Sequence, residues 1–208
     1  KEEIFVVHNG IIENYHQLKE FLINKGHKFI SQTDTEVIPH LIEENLKTKD
    51  YFSSVIETFK VLKGSFAIAI LKKGENSIIA GRKGSPLVIG KNDNNFYIAS
   101  DIYPLLRYTN DFVFLDDFEV VCVSDKKKMK FYNFKENKEN EKRIIKLKIK
   151  NCDEENEKFQ TFMMKEIHQQ PYVLRDTVKT FLSDCVDYFL SDRFKIPKRI
   201  IFTGCGTS

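Results

Sequence analysis

Apolar positions along the chain fall into two regimes, and the change comes after Leu62. Ile4 to Val7 is a short apolar run stopped by His8-Asn9-Gly10, where Asn-Gly reads as a tight turn. From Asn14 to Lys25, Tyr15, Leu18, Phe21 and Leu22 fall on one helical face, with Gly26 as the stop signal. Phe29-Ile30 predicts a brief strand. Thr33-Asp34-Thr35-Glu36 has the form of a capping box, a hydroxyl followed three residues later by a glutamate. It predicts a helix carrying Val37, Ile38, Leu41, Ile42 and Leu46. A further helix is expected from Tyr51 to Leu62, with Val55, Ile56, Phe59 and Leu62 inward.

Beyond Leu62 the runs shorten and alternate. Ser65 to Leu71, Ser77 to Arg82, Leu87 to Ile89, Phe96 to Ala99 and Phe118 to Val123 read as strands, with a short helix over Asp101 to Arg107. Helices followed by a series of strands predict a layered α+β domain with largely antiparallel sheets. From about Asn133 to Lys158 the chain is rich in Lys, Glu and Asn and reads as a solvated linker or surface insertion. Within it Ile145, Leu147 and Ile149 alternate with lysines, the pattern of a lysine-fringed edge strand. Helical spacing resumes from Phe162 to about Leu190, interrupted at Pro171. The chain closes on the strand-like Arg199 to Ser208. Three regions are expected: 1–132, a linker at 133–160, and 161–208.

Composition narrows the function classes. Hydrophobic residues make up 41% of the 208 positions, with 18 Phe, so a sizeable core is expected rather than disorder. The 33 basic and 30 acidic residues nearly cancel, which argues against a nucleic-acid partner. No apolar run reaches the length of a membrane span, and no signal peptide is seen. Cys122, Cys152, Cys185 and Cys205 are far apart, so neither a zinc site nor a disulfide framework is expected, and a reducing, cytoplasmic setting is. His16, His27, His40 and His168 show no partner at useful spacing and read as surface or boundary residues. No metal and no organic cofactor is expected.

The chemistry-bearing candidate is His8-Asn9-Gly10. Besides a turn, an Asn amide and the N–H of the following Gly can form an oxyanion hole, both aimed at a carbonyl oxygen as it gains charge. The triplet does not stand alone. His8-Asn9-Gly10-Ile11-Ile12-Glu13-Asn14-Tyr15 is followed by Thr33-Asp34-Thr35-Glu36-Val37-Ile38, Gly84-Ser85-Pro86-Leu87-Val88-Ile89-Gly90 and Ala99-Ser100-Asp101. Met164-Lys165-Glu166-Ile167-His168-Gln169-Gln170-Pro171 and Gly204-Cys205-Gly206-Thr207-Ser208 come later. This ordered set resembles the glutamine–fructose-6-phosphate aminotransferases (isomerising), whose first half is a class II glutamine amidotransferase domain. The likeness covers nearly the whole chain except the polar insert.

The resemblance implies a four-layer αββα fold of the N-terminal-nucleophile hydrolase type, incomplete here, then the start of an α/β sugar isomerase domain. It implies that Asn9 and Gly10 are oxyanion-hole donors and that Asp34 holds the α-ammonium of glutamine. Asp34 also has a local reading, as part of a helix cap. Thr207 and Ser208 would belong to a sugar-phosphate site, with Cys205 a small buried residue beside them. Glu13 reads as structural, and Gly84-Ser85-Pro86 as a turn. The implied substrates are glutamine and fructose 6-phosphate, the implied product is glucosamine 6-phosphate, and a homo-oligomer is expected of the parent enzyme.

In this family the attacking group is an N-terminal cysteine, which the chain does not carry, so the 208 residues are expected to be inactive alone. Two rivals remain at this point. One is another class II amidotransferase, as in purine or asparagine synthesis; the strings after Phe162 favour the sugar-phosphate enzyme. The other is a nucleophile-less binding or regulatory homologue. Asn9, Gly10 and Asp34 are all present, which favours a segment of a working enzyme over a decayed one.

Overall fold

The computed structural model describes residues 3–124, 128–147, 159, 161–184 and 199. It divides into two units, 1–151 and 152–208. The first opens with strand β1 (Ile4–Ile12) and three helices, α1 (Tyr15–Asn24), α2 (Val37–Leu46) and α3 (Tyr51–Val61). Then come β2 (Gly64–Lys72), β3 (Ser77–Lys83), β4 (Val88–Lys91), β5 (Phe96–Ala99), β6 (Asp111–Phe114), β7 (Glu119–Ser124), β8 (Met129–Asn133), β9 (Lys138–Asn140) and β10 (Ile145–Lys146). Two antiparallel sheets result, one ordered β1-β2-β3-β7-β8-β9 and the other β10-β6-β4-β5.

Strand alternation divides the core in two. One face of the larger sheet sends Phe66, Ile68, Ile70, Ile79 and Val120 into a cluster with Ile38, Ile42, Val55 and Phe59 of the helices. The opposite face sends Ala67, Ala80, Val121, Val123 and Phe131 against Leu87, Ile89, Val113 and Leu115 around the smaller sheet. Helices, sheet and sheet therefore stack as three layers. These are three of the four layers expected, and the outer face of the smaller sheet is covered at Gly90 by Leu105, at the end of the Tyr103–Leu105 turn, and by Thr109 beyond it.

Several expectations change. His8-Asn9-Gly10 is not a turn: β1 runs straight through it in unbroken register with β2, His8 opposite Ile68 and Gly10 opposite Phe66. Phe29-Ile30 forms no strand. Thr33 makes no capping hydrogen bond; instead Glu36 reaches back to accept from the Ile30 and Ser31 amides at 2.8 Å and the Ser31 hydroxyl at 2.6 Å. Asp50 instead caps a helix here, accepting the Ser53 amide at the start of α3.

The polar stretch beginning at Asn133 is not all linker, since β9 and β10 extend both sheets. It is anchored at Glu119, only 2% exposed, whose carboxylate accepts from Asn140 at 2.9 Å and pairs with Lys142 at 2.8 Å. Ile145 forms the expected edge strand against Phe112, while Ile149 lies outside the described residues.

In the second unit the described residues form one helix, α4 (Phe162–Asp184), which continues through Pro171 rather than stopping there. Cys152, Cys185, Cys205, Thr207 and Ser208 lie outside the described residues. Among the described residues no helix is long and apolar enough to cross a membrane.

Candidate functional site

β1 is the edge strand of the larger sheet, so half of its peptide groups face away from β2. Which half can be read from two bonds. The Glu13 amide donates toward the β2 side, to Lys63 O, whereas the Ile12 amide donates away from it, to Asp34 Oδ2 at 2.7 Å. Antiparallel ladders alternate, so the amide of Gly10, two residues earlier, projects to the same open edge as that of Ile12. Asp34 therefore sits on the edge along which the Gly10 N–H is presented, roughly 7 Å along the strand by the strand rise.

Gly10 is at this position for a steric reason. Its φ is +137°, and a Cβ there would lie 2.1 Å from Ser65 O and 2.8 Å from Phe66 Cα. Only glycine lets the strand hold this backbone against β2. Asn9 is exposed, with its carboxamide free of hydrogen bonds among the described residues. An unpaired amide donor beside an outward N–H is the arrangement an anionic oxygen can use.

The turn that carries Asp34 is tied to β1 twice. Besides the Ile12 bond, Thr35 Oγ1 lies 2.9 Å from His8 Nδ1. His8 was passed over in the sequence as part of a turn; its parity with Val6 and Ile12, both on the helix side of β1, was the available signal. Burial holds the His8 imidazole below the usual histidine range, with the Asp34 charge opposing the shift. Its Nε2 is buried without a partner among the described residues. An unmet lone pair costs less than an unmet N–H, so the neutral ring with its proton on Nδ1, donated to Thr35, fits best.

Other candidates resolve plainly. Gly84-Ser85-Pro86-Leu87 and Ala99-Ser100-Asp101, far apart in sequence, meet at a cleft of about 330 Å³ lined by Arg82, Pro86, Leu87, Ser100, Asp101 and Phe114. Arg82 is committed to structure there, donating to Leu115 O and Gly84 O at 2.9 Å and pairing with Asp117 at 2.8 Å. Asn14 joins the strand end to the helices by accepting the Lys63 amide and donating to Val61 O, both at 2.9 Å. Cys122 is half-buried in β7 and burial pushes its thiol up, the reverse of what a nucleophile needs.

A family model described as "Glutamine amidotransferase domain" matches residues 1–107. A glutamine–fructose-6-phosphate aminotransferase (isomerizing) of Aquifex aeolicus is 41% identical over 211 residues, covering 100% of this chain and 34% of that protein. Its counterpart in Methanocaldococcus jannaschii is 41% identical over 218 residues, covering 100% of this chain and 20% of that protein. The chain thus spans about a third of the length of one of these relatives and a fifth of the other. Among solved structures, a glutamine phosphoribosylpyrophosphate amidotransferase from B. subtilis is 26% identical, with a TM-score of 0.57 over 64% of this chain and 30% of that one. The layered fold is shared with such N-terminal-nucleophile amidotransferases.

Proposed function

Since this chain belongs to the glutamine amidotransferase domain family, we propose that it forms part of the glutamine site of an enzyme making glucosamine 6-phosphate from glutamine and fructose 6-phosphate. The carrying observation is that Asp34 and the Gly10 amide share the open edge of β1, with Asn9 unpaired beside them. A carboxylate at one end suits the α-ammonium of glutamine. Two donors at the other suit the oxyanion that develops at its side-chain amide when a thiol attacks. The names of the relatives support the sugar-phosphate acceptor over a purine or asparagine pathway, and they align across 1–208 as a whole.

On this reading residues 161–208 lead from the amidotransferase part into a sugar-phosphate isomerase domain, with Thr207 and Ser208 in its phosphate site. The working setting is cytoplasmic, and the full-length enzyme is a homo-oligomer that uses no organic cofactor. The test is made on the full-length gene product. Asn9→Ala is expected to lower kcat for glutamine hydrolysis about 10²–10³-fold with little change in KM, the signature of a lost oxyanion donor. The 208-residue chain alone is expected to release no glutamate above background. Saturable hydrolysis by that chain, or an Asn9→Ala enzyme of undiminished kcat, would overturn the reading.

A further inference from the structure

His27 and His40 read from the sequence as partnerless, yet the fold brings them together. His27 lies in the loop that leaves α1, and His40 lies on α2 one turn beyond Glu36. Their Nδ1 atoms are 3.1 Å apart. Glu43, one turn further along α2, places Oε2 3.3 Å from His40 Nδ1 and 3.7 Å from His27 Nδ1. Three potential ligand atoms therefore form a nearly equilateral triangle.

The other nitrogen of each ring decides what those atoms offer. His27 Nε2 lies 3.1 Å from Glu44 Oε2, and His40 Nε2 lies 3.7 Å from Glu36 Oε1. The Glu44 carboxylate favours the proton on His27 Nε2 and turns that ring's Nδ1 lone pair inward. Glu36, beyond hydrogen-bond distance, sets a negative charge beside His40 Nε2 that favours the same tautomer there. Two lone pairs and a carboxylate oxygen converging within these distances can share a cation among them. The triangle also has the size of one face of a tetrahedral site: ligands about 2.0–2.1 Å from zinc stand about 3.3 Å from one another. A point equidistant from the three atoms in their plane lies about 2.0 Å from each, so an ion would sit just above it.

We propose that His27, His40 and Glu43 form a binding site for a divalent zinc-class ion, with solvent completing the tetrahedron. Glu44 and Glu36 orient the two imidazoles from behind, the arrangement that outer carboxylates adopt around metal-bound histidine. Phe29, its ring 4.5 Å from that of His40, shields one side. Glu43 is the most exposed of the three and faces the open side. Glu36 also holds the Ile30 and Ser31 amides, so the ion would clip the 27–31 loop to α2, whose leading turn carries Asp34. This site is separate from the β1 edge and does not depend on the glutamine reading.

The test uses the purified, metal-stripped chain titrated with Co²⁺ and then Zn²⁺. The expected result is one Co²⁺ per chain with the intense visible absorption of tetrahedral nitrogen–oxygen coordination, displaced by Zn²⁺, and a Tm that rises with Zn²⁺. Glu43→Gln, at a partly exposed position, should abolish the tetrahedral spectrum. Glu44→Gln should weaken binding about 10–100-fold while keeping the spectrum. Weak octahedral Co²⁺ absorption, no stoichiometric uptake, or uptake that survives the combined His27→Gln and Glu43→Gln change would overturn the proposal; in that case a proton shared between the two rings fills the triangle.

Discussion

The carboxylate of Asp34 accepts the backbone N–H of Ile12 at 2.7 Å, joining the turn before α2 to the edge strand β1. One oxygen is thereby occupied in holding the turn, while the charge stays beside the open edge. On the proposed glutamine reading Asp34 has two separable roles, one met by any acceptor of the same shape and one requiring a negative charge.

Asp34→Asn separates them. Its amide oxygen can still accept from Ile12, so Tm should fall by no more than about 2–4 °C, the equivalent of about 1 kcal/mol. The charge proposed to face the glutamine ammonium is gone, so on that reading glutamine-dependent activity of the full-length enzyme should drop at least about 100-fold. Asp34→Ala should add the cost of an unmet Ile12 amide, about 1–3 kcal/mol. Thermal melts and glutamine kinetics on the same preparations check both; equal loss of stability in the two variants would make Asp34 structural alone.

Gly10→Ala is expected to destabilise rather than merely inactivate. The backbone at φ +137° strains any L side chain, and the new methyl would meet Ser65 O at 2.1 Å. Strain of this kind costs about 1–3 kcal/mol before the clash is counted. Denaturant unfolding should show a lower midpoint with an unchanged slope. A midpoint equal to that of the parent would mean that β1 can move away from β2 here.

The helices and most strands were legible because their apolar spacing matches the faces they bury: Val55, Ile56 and Phe59 of α3 lie in the core as the period implied. β6 and β8 were missed, since Asp111–Phe114 is only four residues and Met129–Asn133 alternates with polar positions in a lysine-rich setting. His8-Asn9-Gly10 misled in the opposite direction. Asn-Gly is a turn signal only when the chain reverses, and here the glycine serves a close approach between strands. Family motifs nominated the residues of the candidate site, whereas the His8–Thr35 and Ile12–Asp34 bonds that bring its segments together span 27 and 22 residues and no local pattern encodes them.

Lys142 tests whether the polar stretch belongs to the fold. It approaches both Asp116 and Glu119, and these bonds raise its ammonium against the lowering effect of burial. Lys142→Met would leave the buried Glu119 carboxylate without its charge partner, and breaking a buried pair in this way costs about 3–5 kcal/mol. Urea unfolding should register most of that loss. Because the folded value is raised, the pair stabilises fully below the unfolded lysine value and its contribution is lost as pH rises through the folded one. A Lys142→Met chain as stable as the parent would return residues 133–147 to the status of a linker.

Asp50 gives the corresponding prediction on the acid side. Its side chain begins α3 by accepting from the Ser53 hydroxyl at 2.6 Å and the Ser53 amide at 3.1 Å, and these bonds, the hydroxyl foremost, hold its carboxyl below the usual range. A depressed folded value means that the stabilisation is complete above the unfolded value, about 3.9, and is lost as pH falls through the folded one. Asp50→Ala should cost about 1 kcal/mol at neutral pH, or roughly 2–4 °C in Tm for a chain of this length. Asp50→Asn preserves the acceptor but not the titration, so its deficit relative to the parent should shrink as pH is lowered from 7 toward 2.5. Melts of the parent and both variants across that range decide the matter. A parent–Asn difference that stays constant with pH would show that the cap acts through its geometry and not through its charge.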